Sequence, residues 1–340
     1  MQKNNIDNNF DILRLILAVL VYFAHWNTLT SQELSNPLFH LSGFAVDMFF
    51  IVSGFLIFWS FDADQNKKHF YIKRFFRIFP LYVFLILLQT LFFIGFADGS
   101  FMQIVKYFVS NIFFLNFLAP SVGSTLSGLE VNAINGSLWT LKNEVVFYLI
   151  VPLLFIFYKK FGKKFFYIFY ILSVTYMFMI DYIVSLEIIS RHHANILLFQ
   201  FPAQLRLFLA GILVYVLFDK FKDKNVHLLA IGSLILIVLF KDFEYFKFTI
   251  YPLPLGILVI YLVYFVKHIK INFDFSYSFY ILHFPVIQLA IYFGVNPANP
   301  IVSFISLFAV ILFLSYFSER YIEKRFVRFG KSIVKKDKNV

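Results

Sequence analysis

Arg14 and His25 stand eleven positions apart in the apolar stretch FDILRLILAVLVYFAHW. Eleven steps of about 100° return almost to the starting azimuth, so a helix carries both on one face, about 16 Å apart along its axis. An ionisable side chain at the centre of a bilayer costs on the order of 3 kcal/mol, and therefore faces a protein interior or a wet cavity. The two residue types suit different chemistry. Imidazole titrates near neutrality and can take a proton from a weak nucleophile. A guanidinium holds oxyanions through paired, charge-assisted hydrogen bonds. Other apolar segments add groups of the same kinds: Asp47 in FAVDMFF, Glu144 in WTLKNEVVFYLIVP, Arg206 in FPAQLRLFLAG and His283 in SYSFYILHFPVI. Arg74 and Arg77 lie one turn apart in KKHFYIKRFFRIFP, on one helical face.

The chain that must position these groups is 340 residues long, 60% hydrophobic and 14% charged. A soluble domain carries about a quarter charged residues. Ten stretches approach the roughly 20 apolar residues of a spanning helix, near 11–30, 42–60, 78–97, 139–158, 164–181, 196–218, 227–240, 250–266, 276–294 and 301–317. The expected fold class is all-α, a polytopic integral membrane protein of about ten transmembrane helices. An eleventh segment, 102–118, is less regular, and charge decides its reading. With the N-terminus inside and ten spans, the inner segments hold 23 Lys and Arg residues. The outer loops hold four, Lys106, Arg191, Lys241 and Lys247. Cytoplasmic loops are enriched in these residues. A span at 102–118 would invert every later loop and erase that bias, so the segment is expected on the outer face as a surface or re-entrant helix. Both termini are then cytoplasmic, and the net charge of +11 is mostly inner-face bias, a poor argument for binding nucleic acid. The first apolar run is followed by no small-residue cleavage site and carries Arg14 and His25, so it reads as a retained helix. The absence of cysteine excludes disulfides, thiolate metal sites and a Cys nucleophile.

In this topology Arg14 lies near the inner surface and His25 in the outer half of the same helix. Asp47, and the start of the fourth span with Trp139, Lys142 and Glu144, enter from outside near the level of His25. Either carboxylate can then orient the imidazole, as the third group of a triad does. Arg74 and Arg77 sit at the inner end, where phosphates would be met, although positive-inside bias alone also accounts for them. His283 lies one or two turns into the ninth span. Asp11 is a local partner for Arg14 at i+3, Lys142 can snorkel to the surface, and Gly43 and Gly54 suit close helix packing.

Taken in order, these segments resemble the acyltransferase 3 family of membrane-bound O-acyltransferases. The resemblance runs through FDILRLILAVLVYFAHW, VDMFFIVSGFLIFWS, the Arg74-x-x-Arg77 unit with IFPLY, SLWTLKNEVVFYLIVP, RLFLAGIL and SYSFYILHFPV, and covers about residues 10–330. It departs at Thr140, where a small residue is usual, and at Lys142, which adds a charge before the glutamate. The resemblance implies transfer of an acyl group, most often acetyl, from cytoplasmic acetyl-CoA to a hydroxyl of an extracytoplasmic or lipid-linked carbohydrate, in the cell (inner) membrane. It implies Arg14 and His25 as the Arg-x10-His motif and Glu144 as the acid of Trp-x-Leu-x-x-Glu. Arg74, Arg77, Arg14 and His283 fall on the donor side. His25 serves as base or as acyl carrier. Residues 1–333 would form the transmembrane acyltransferase domain and 334–340 a basic cytoplasmic tail. The partners expected are acyl-CoA, a carbohydrate acceptor and membrane lipids, with no metal. The competing class is a transporter or flippase of a glycan precursor, which also keeps ionisable groups in a bundle; no internal repeat or pair of interrupted helices supports it.

Overall fold

The computed structural model describes residues 8–31, 34, 36–222, 225–271, 273–295 and 299–338. Lys3 and Lys224, counted above among the inner basic residues, and the last two residues of the expected tail lie outside them. All regular structure among the described residues is helical. The longer helices are α1 (Phe10–Thr30), α2 (Ser42–Ala63), α3 (Lys67–Phe96), α4 (Phe101–Ile112), α5 (Trp139–Phe161), α6 (Lys164–Ser185), α7 (Arg191–Leu198) and α8 (Phe201–Val216). The short α9 (Phe218–Lys222) precedes α10 (Val226–Phe240), α11 (Glu244–Thr249), α12 (Pro252–Tyr264), α13 (Ser276–Tyr292), α14 (Pro300–Ser318) and α15 (Lys324–Lys338). Among the described residues, seven helical stretches are long and apolar enough to cross a membrane, and α10 and α12 are shorter apolar helices. The described residues thus form an all-helical structure with the apolar helices of an integral membrane protein. The ambiguous segment 102–118 contains α4, whose twelve residues reach about 18 Å, well short of the ~30 Å hydrocarbon core. Its start is set by Ser100 and Gln103, which exchange side-chain and backbone hydrogen bonds as a capping box.

The helices form two compact, discontinuous units. The first comprises Met1–Leu13, Val46–Lys67 and Asn143–Ile271. Its α2 and α8 touch backbone to backbone through two glycines. A Cβ added at Gly54 would lie 2.1 Å from the Phe208 carbonyl oxygen, and one at Gly211 2.1 Å from that of Ile51. Small residues permit this approach, which carries helix association where lipid supplies no hydrophobic contrast. Phe147 stacks on Phe208 with ring centroids 4.3 Å apart. Asn9 ties the chain start to the end of α12, its amide donating to the carbonyls of Leu262, Val266 and Lys267. Those carbonyls lie at and just beyond a helix end, where intrahelical donors run out.

The second unit comprises Arg14–Ala45, Lys68–Lys142 and Asn272–Val340. Tyr22 on α1 donates to the Phe304 carbonyl at 2.7 Å and packs among Phe279, Phe304 and Phe308. These contacts bind α1 to α13 and α14. On the other side α4 is fixed to α3 by buried polar pairs: Tyr82 donates to the Asn111 carbonyl at 2.6 Å and Tyr107 to Gln89 Oε1 at 2.7 Å. The α14 helix passes through a π turn, Glu319–Glu323, into α15. There Asp337 accepts from Lys68 (2.7 Å) and pairs with His69 (3.0 Å) on α3, and Gly330 leaves room for the Phe76 ring.

Candidate active site

Two clusters along α1 and α13 of the second unit bring the sequence candidates together. At the far end of α1, His25 Nδ1 and His283 Nε2 are 2.7 Å apart and share a hydrogen bond. Their rings lie 10° from parallel. His283 is fully buried and His25 half-buried. Phe284 packs edge-on against His25, and Tyr280 against His283. Tyr280 is itself held through its hydroxyl, 2.9 Å from Thr140 Oγ1. The backbone of α13 is anchored here as well, because Asn135 Nδ2 donates to the Ile281 carbonyl at 2.9 Å. Engaging Nδ1 with His283 leaves Nε2 of His25 as the nitrogen that can take a proton from a hydroxyl. That role requires the tautomer in which His25 Nδ1–H donates to His283. The His283 proton is then on its own Nδ1, which faces the Phe279 and Tyr280 carbonyls one turn back without reaching hydrogen-bond geometry.

The second cluster surrounds Asp274, just before α13. Its Oδ2 accepts from Arg77 Nη2 at 2.7 Å and from Arg14 Nη1 at 3.3 Å, and its Oδ1 accepts from Ser276 Oγ at 2.8 Å. Burial pushes the Asp274 carboxyl up, and the Arg14 and Arg77 guanidiniums with the Ser276 hydroxyl outweigh it. The group is thereby held well below the ordinary carboxylate range. Behind it, the π turn carries two buried glutamates. Glu323 pairs with Arg77 at 3.6 Å, and Glu319 takes Lys324 at 2.7 Å and faces the Asp274 amide at 3.5 Å. The arginine and aspartate side chains remain 22 to 27% exposed, whereas the two glutamates are almost wholly buried. Arg14 meets the start of α13 and His25 its middle, so the two helices run in the same direction.

The remaining candidates have partners of their own. Arg74 holds its guanidinium 5.6 Å from the centre of the Phe70 ring. Glu144 belongs to the first unit, where its Oε1 accepts from Tyr148 at 2.6 Å and Ser53 at 3.5 Å. Asp47 also lies in the first unit, hydrogen-bonded to Tyr251 and within reach of the Arg206 charge. At His25 Nδ1 the observed partner is thus an imidazole, where the sequence offered a carboxylate. Lys142 rests over the Phe117 ring at 4.7 Å. Among the described residues no three His, Asp or Glu side chains converge as ligands for a metal ion.

Sequence reasoning missed Asp274, Glu319 and Glu323. Asp274 carried one visible signal, an acidic residue between the basic Lys267–Lys270 stretch and the helix beginning at Ser276. The glutamates carried none, because two acids in a basic tail read as ordinary surface charge.

Comparison with known proteins places the chain among acyltransferases. The acyltransferase 3 family model, described as an acyltransferase domain, matches residues 7–320. The chain is 30% identical over 354 positions to the O-acetyl transferase of Shigella phage Sf6, covering 96% of this chain and 97% of that protein. Nodulation protein 10 of Rhizobium leguminosarum bv. viciae is 34% identical over 164 positions, 43% of this chain and 44% of its own length. No solved structure matches this chain.

Proposed function

The chain belongs to the acyltransferase 3 family and is a membrane O-acetyltransferase, and we propose that it carries an acyl group, acetyl foremost, from cytoplasmic acyl-CoA to a carbohydrate hydroxyl on the opposite side of the cell (inner) membrane. The observation that carries this reading is the alignment of a partly exposed arginine cluster with the His25–His283 pair along α1 and α13. Arg14 and His25 are about 16 Å apart on α1. From pyrophosphate to sulphur, the pantetheine arm of CoA has about thirteen bonds, or ~16 Å at the rise per bond of an extended chain. Phosphates held at Arg14 and Arg77, with Arg74 nearby in sequence, therefore bring the thioester to the level of His25.

The acceptor hydroxyl attacks the thioester carbonyl while His25 Nε2 takes its proton. As the C–S bond breaks, the imidazolium returns that proton to the departing CoA sulphur. His283 accepts from His25 Nδ1–H throughout and steadies the charged ring, a positioning role. Asp47 and Glu144 are held within the first unit by Tyr251, Tyr148 and Ser53 and carry no step of this scheme. Ten spans with both termini inside fit the same picture. The parallel run of α1 and α13 requires an odd number of crossings between them, and α2, α3, α5, α6, α7–α8, α10 and α12 supply seven apolar segments. Residues 1–333 act as the transmembrane domain and the basic end as its cytoplasmic tail.

The test is transfer from labelled acetyl-CoA by the purified protein in lipid nanodiscs. His25→Ala should lower turnover about 10²–10⁴-fold, the usual contribution of one positioned base, while CoA binding persists. Folded His25→Ala protein working near the wild-type rate would defeat the mechanism. Because the chain has no cysteine, single cysteines at Ser124 and Ser332 also report topology, and labelling of both from the same side by an impermeant reagent would reject ten spans.

A further inference from the structure

We propose that Asp274 is a positioning residue for the acyl donor, bridging Arg14 and Arg77 so that their guanidiniums present one shared surface to the donor's phosphates. This rests on the donor reading above. Two guanidiniums that each approach one carboxylate oxygen, at 3.3 and 2.7 Å, are close enough to repel each other strongly. Without a shared anion, their long side chains would separate and sample many rotamers. A carboxylate between them offsets the repulsion and fixes both at once.

Three features make Asp274 a support and not a stand-in that the donor must expel. Its second oxygen is occupied by Ser276 Oγ at 2.8 Å, and its backbone amide faces Glu319 Oε1 at 3.5 Å, so the carboxylate is held from its own side as well. It lies beside the N-terminus of α13, the positive end of the helix dipole, which favours a fixed negative charge. The remaining acids, Glu319 and Glu323, are buried behind the cluster on the π turn, while Arg14 and Arg77 stay partly exposed. The Asp274 carboxylate thus backs the arginines, which themselves stay partly exposed. An i→i+5 turn inserted at Glu319–Glu323 shifts the helix register where Glu323 meets Arg77, and such turns gather at functional sites.

The measurement is binding of CoA and steady-state acetyl transfer by the full-length protein in nanodiscs. Asp274→Asn keeps the size and the Ser276 contact and removes the charge. It should raise the donor KM and the CoA Kd about tenfold, the worth of one charge-assisted hydrogen bond, with kcat at saturating donor changed less than about threefold. In the Arg77→Gln background the same substitution should add little, since both act on one surface. Ser276→Ala, which leaves every charge in place, should raise the donor KM a smaller amount, about twofold, and covers the case in which Asp274→Asn does not accumulate. Unchanged or tighter CoA binding in Asp274→Asn, or an unchanged donor KM in Ser276→Ala, would overturn the proposal. If Arg14→Gln and Arg77→Gln leave CoA binding intact, the donor reading itself falls. If those two weaken binding and Asp274→Asn does not, only the role of Asp274 falls.

Discussion

Each unit of this protein contains an aspartate associated with arginine, and the two are built differently. In the second unit Asp274 touches Arg14 and Arg77 directly, and all three side chains remain about one-quarter exposed. In the first unit Asp47 is hydrogen-bonded to Tyr251, and Arg206 acts on it through charge from inside the α8 helix, where it is only 6% exposed. Arg206 Nε reaches Met177 Sδ at 3.0 Å and its Nη1 has no hydrogen-bond partner. The same two chemical groups therefore stand together and partly exposed in one unit, and around a buried arginine in the other. Exposure makes the difference: a guanidinium that still meets solvent can exchange water for phosphate, and one sealed among apolar helices serves the packing around it.

This contrast predicts opposite responses to loss of an arginine. The largest expected effect is on folding: Arg206→Met should destabilise the protein by about 3 kcal/mol, the scale for leaving a buried charge without its counter-charge. Thermal unfolding in detergent measures it, and Asp47→Asn combined with Arg206→Met should recover most of the loss. An unchanged melting temperature would place Arg206 with the accessible arginines. Arg14→Gln should do the reverse, raising the donor KM about 10–100-fold through loss of a charge-assisted contact while stability moves less than about 1 kcal/mol. A folding defect as large as that of Arg206→Met would erase the distinction.

Gly211→Ala probes the packing that seals the first unit. The added methyl meets the Ile51 carbonyl at 2.1 Å, whereas a Cβ at Gly43 meets nothing within 4 Å. Gly211→Ala should lose about 1–3 kcal/mol by overpacking and Gly43→Ala nothing measurable, and equal melting temperatures would show that α2 and α8 can separate freely. The smallest effect expected is one of pH. The Asp274 carboxyl is held below its ordinary value, so its contribution is complete above the ordinary carboxylate range and is lost only as pH falls through the depressed value. Between about pH 5 and 8 it should add no limb to the donor KM profile. A limb in that window that disappears in Asp274→Asn would mean the carboxylate titrates during binding.

Much of this was legible beforehand because apolar length is a local property. The segments around 11–30, 42–60, 139–158 and 164–181 correspond to α1, α2, α5 and α6 within a few residues, since a helix that satisfies its own backbone is what an apolar run can form in lipid. The reading of 102–118 came from charge balance and fits a twelve-residue helix. Gly54 was legible as a packing residue and Gly43 was not distinguishable from it, because both are small residues in one apolar helix and only the neighbour across the contact separates them.

The sequence by itself determined the helices, the shared face of Arg14 and His25, and the kinds of chemistry available, all of which follow from composition and a period of 3.6 residues. The tertiary structure decided the partners. His283 meets His25 although 258 positions separate them, Asp274 joins arginines from α1 and α3, and Asp47 and Glu144 join a different unit from the histidine they were expected to orient. Helical periodicity states which residues share a face, but it carries no information about which other helix lies against that face. That choice is made by the packing of side chains far apart in the chain, among them the backbone contacts at Gly54 and Gly211 and the ring cluster around Tyr22.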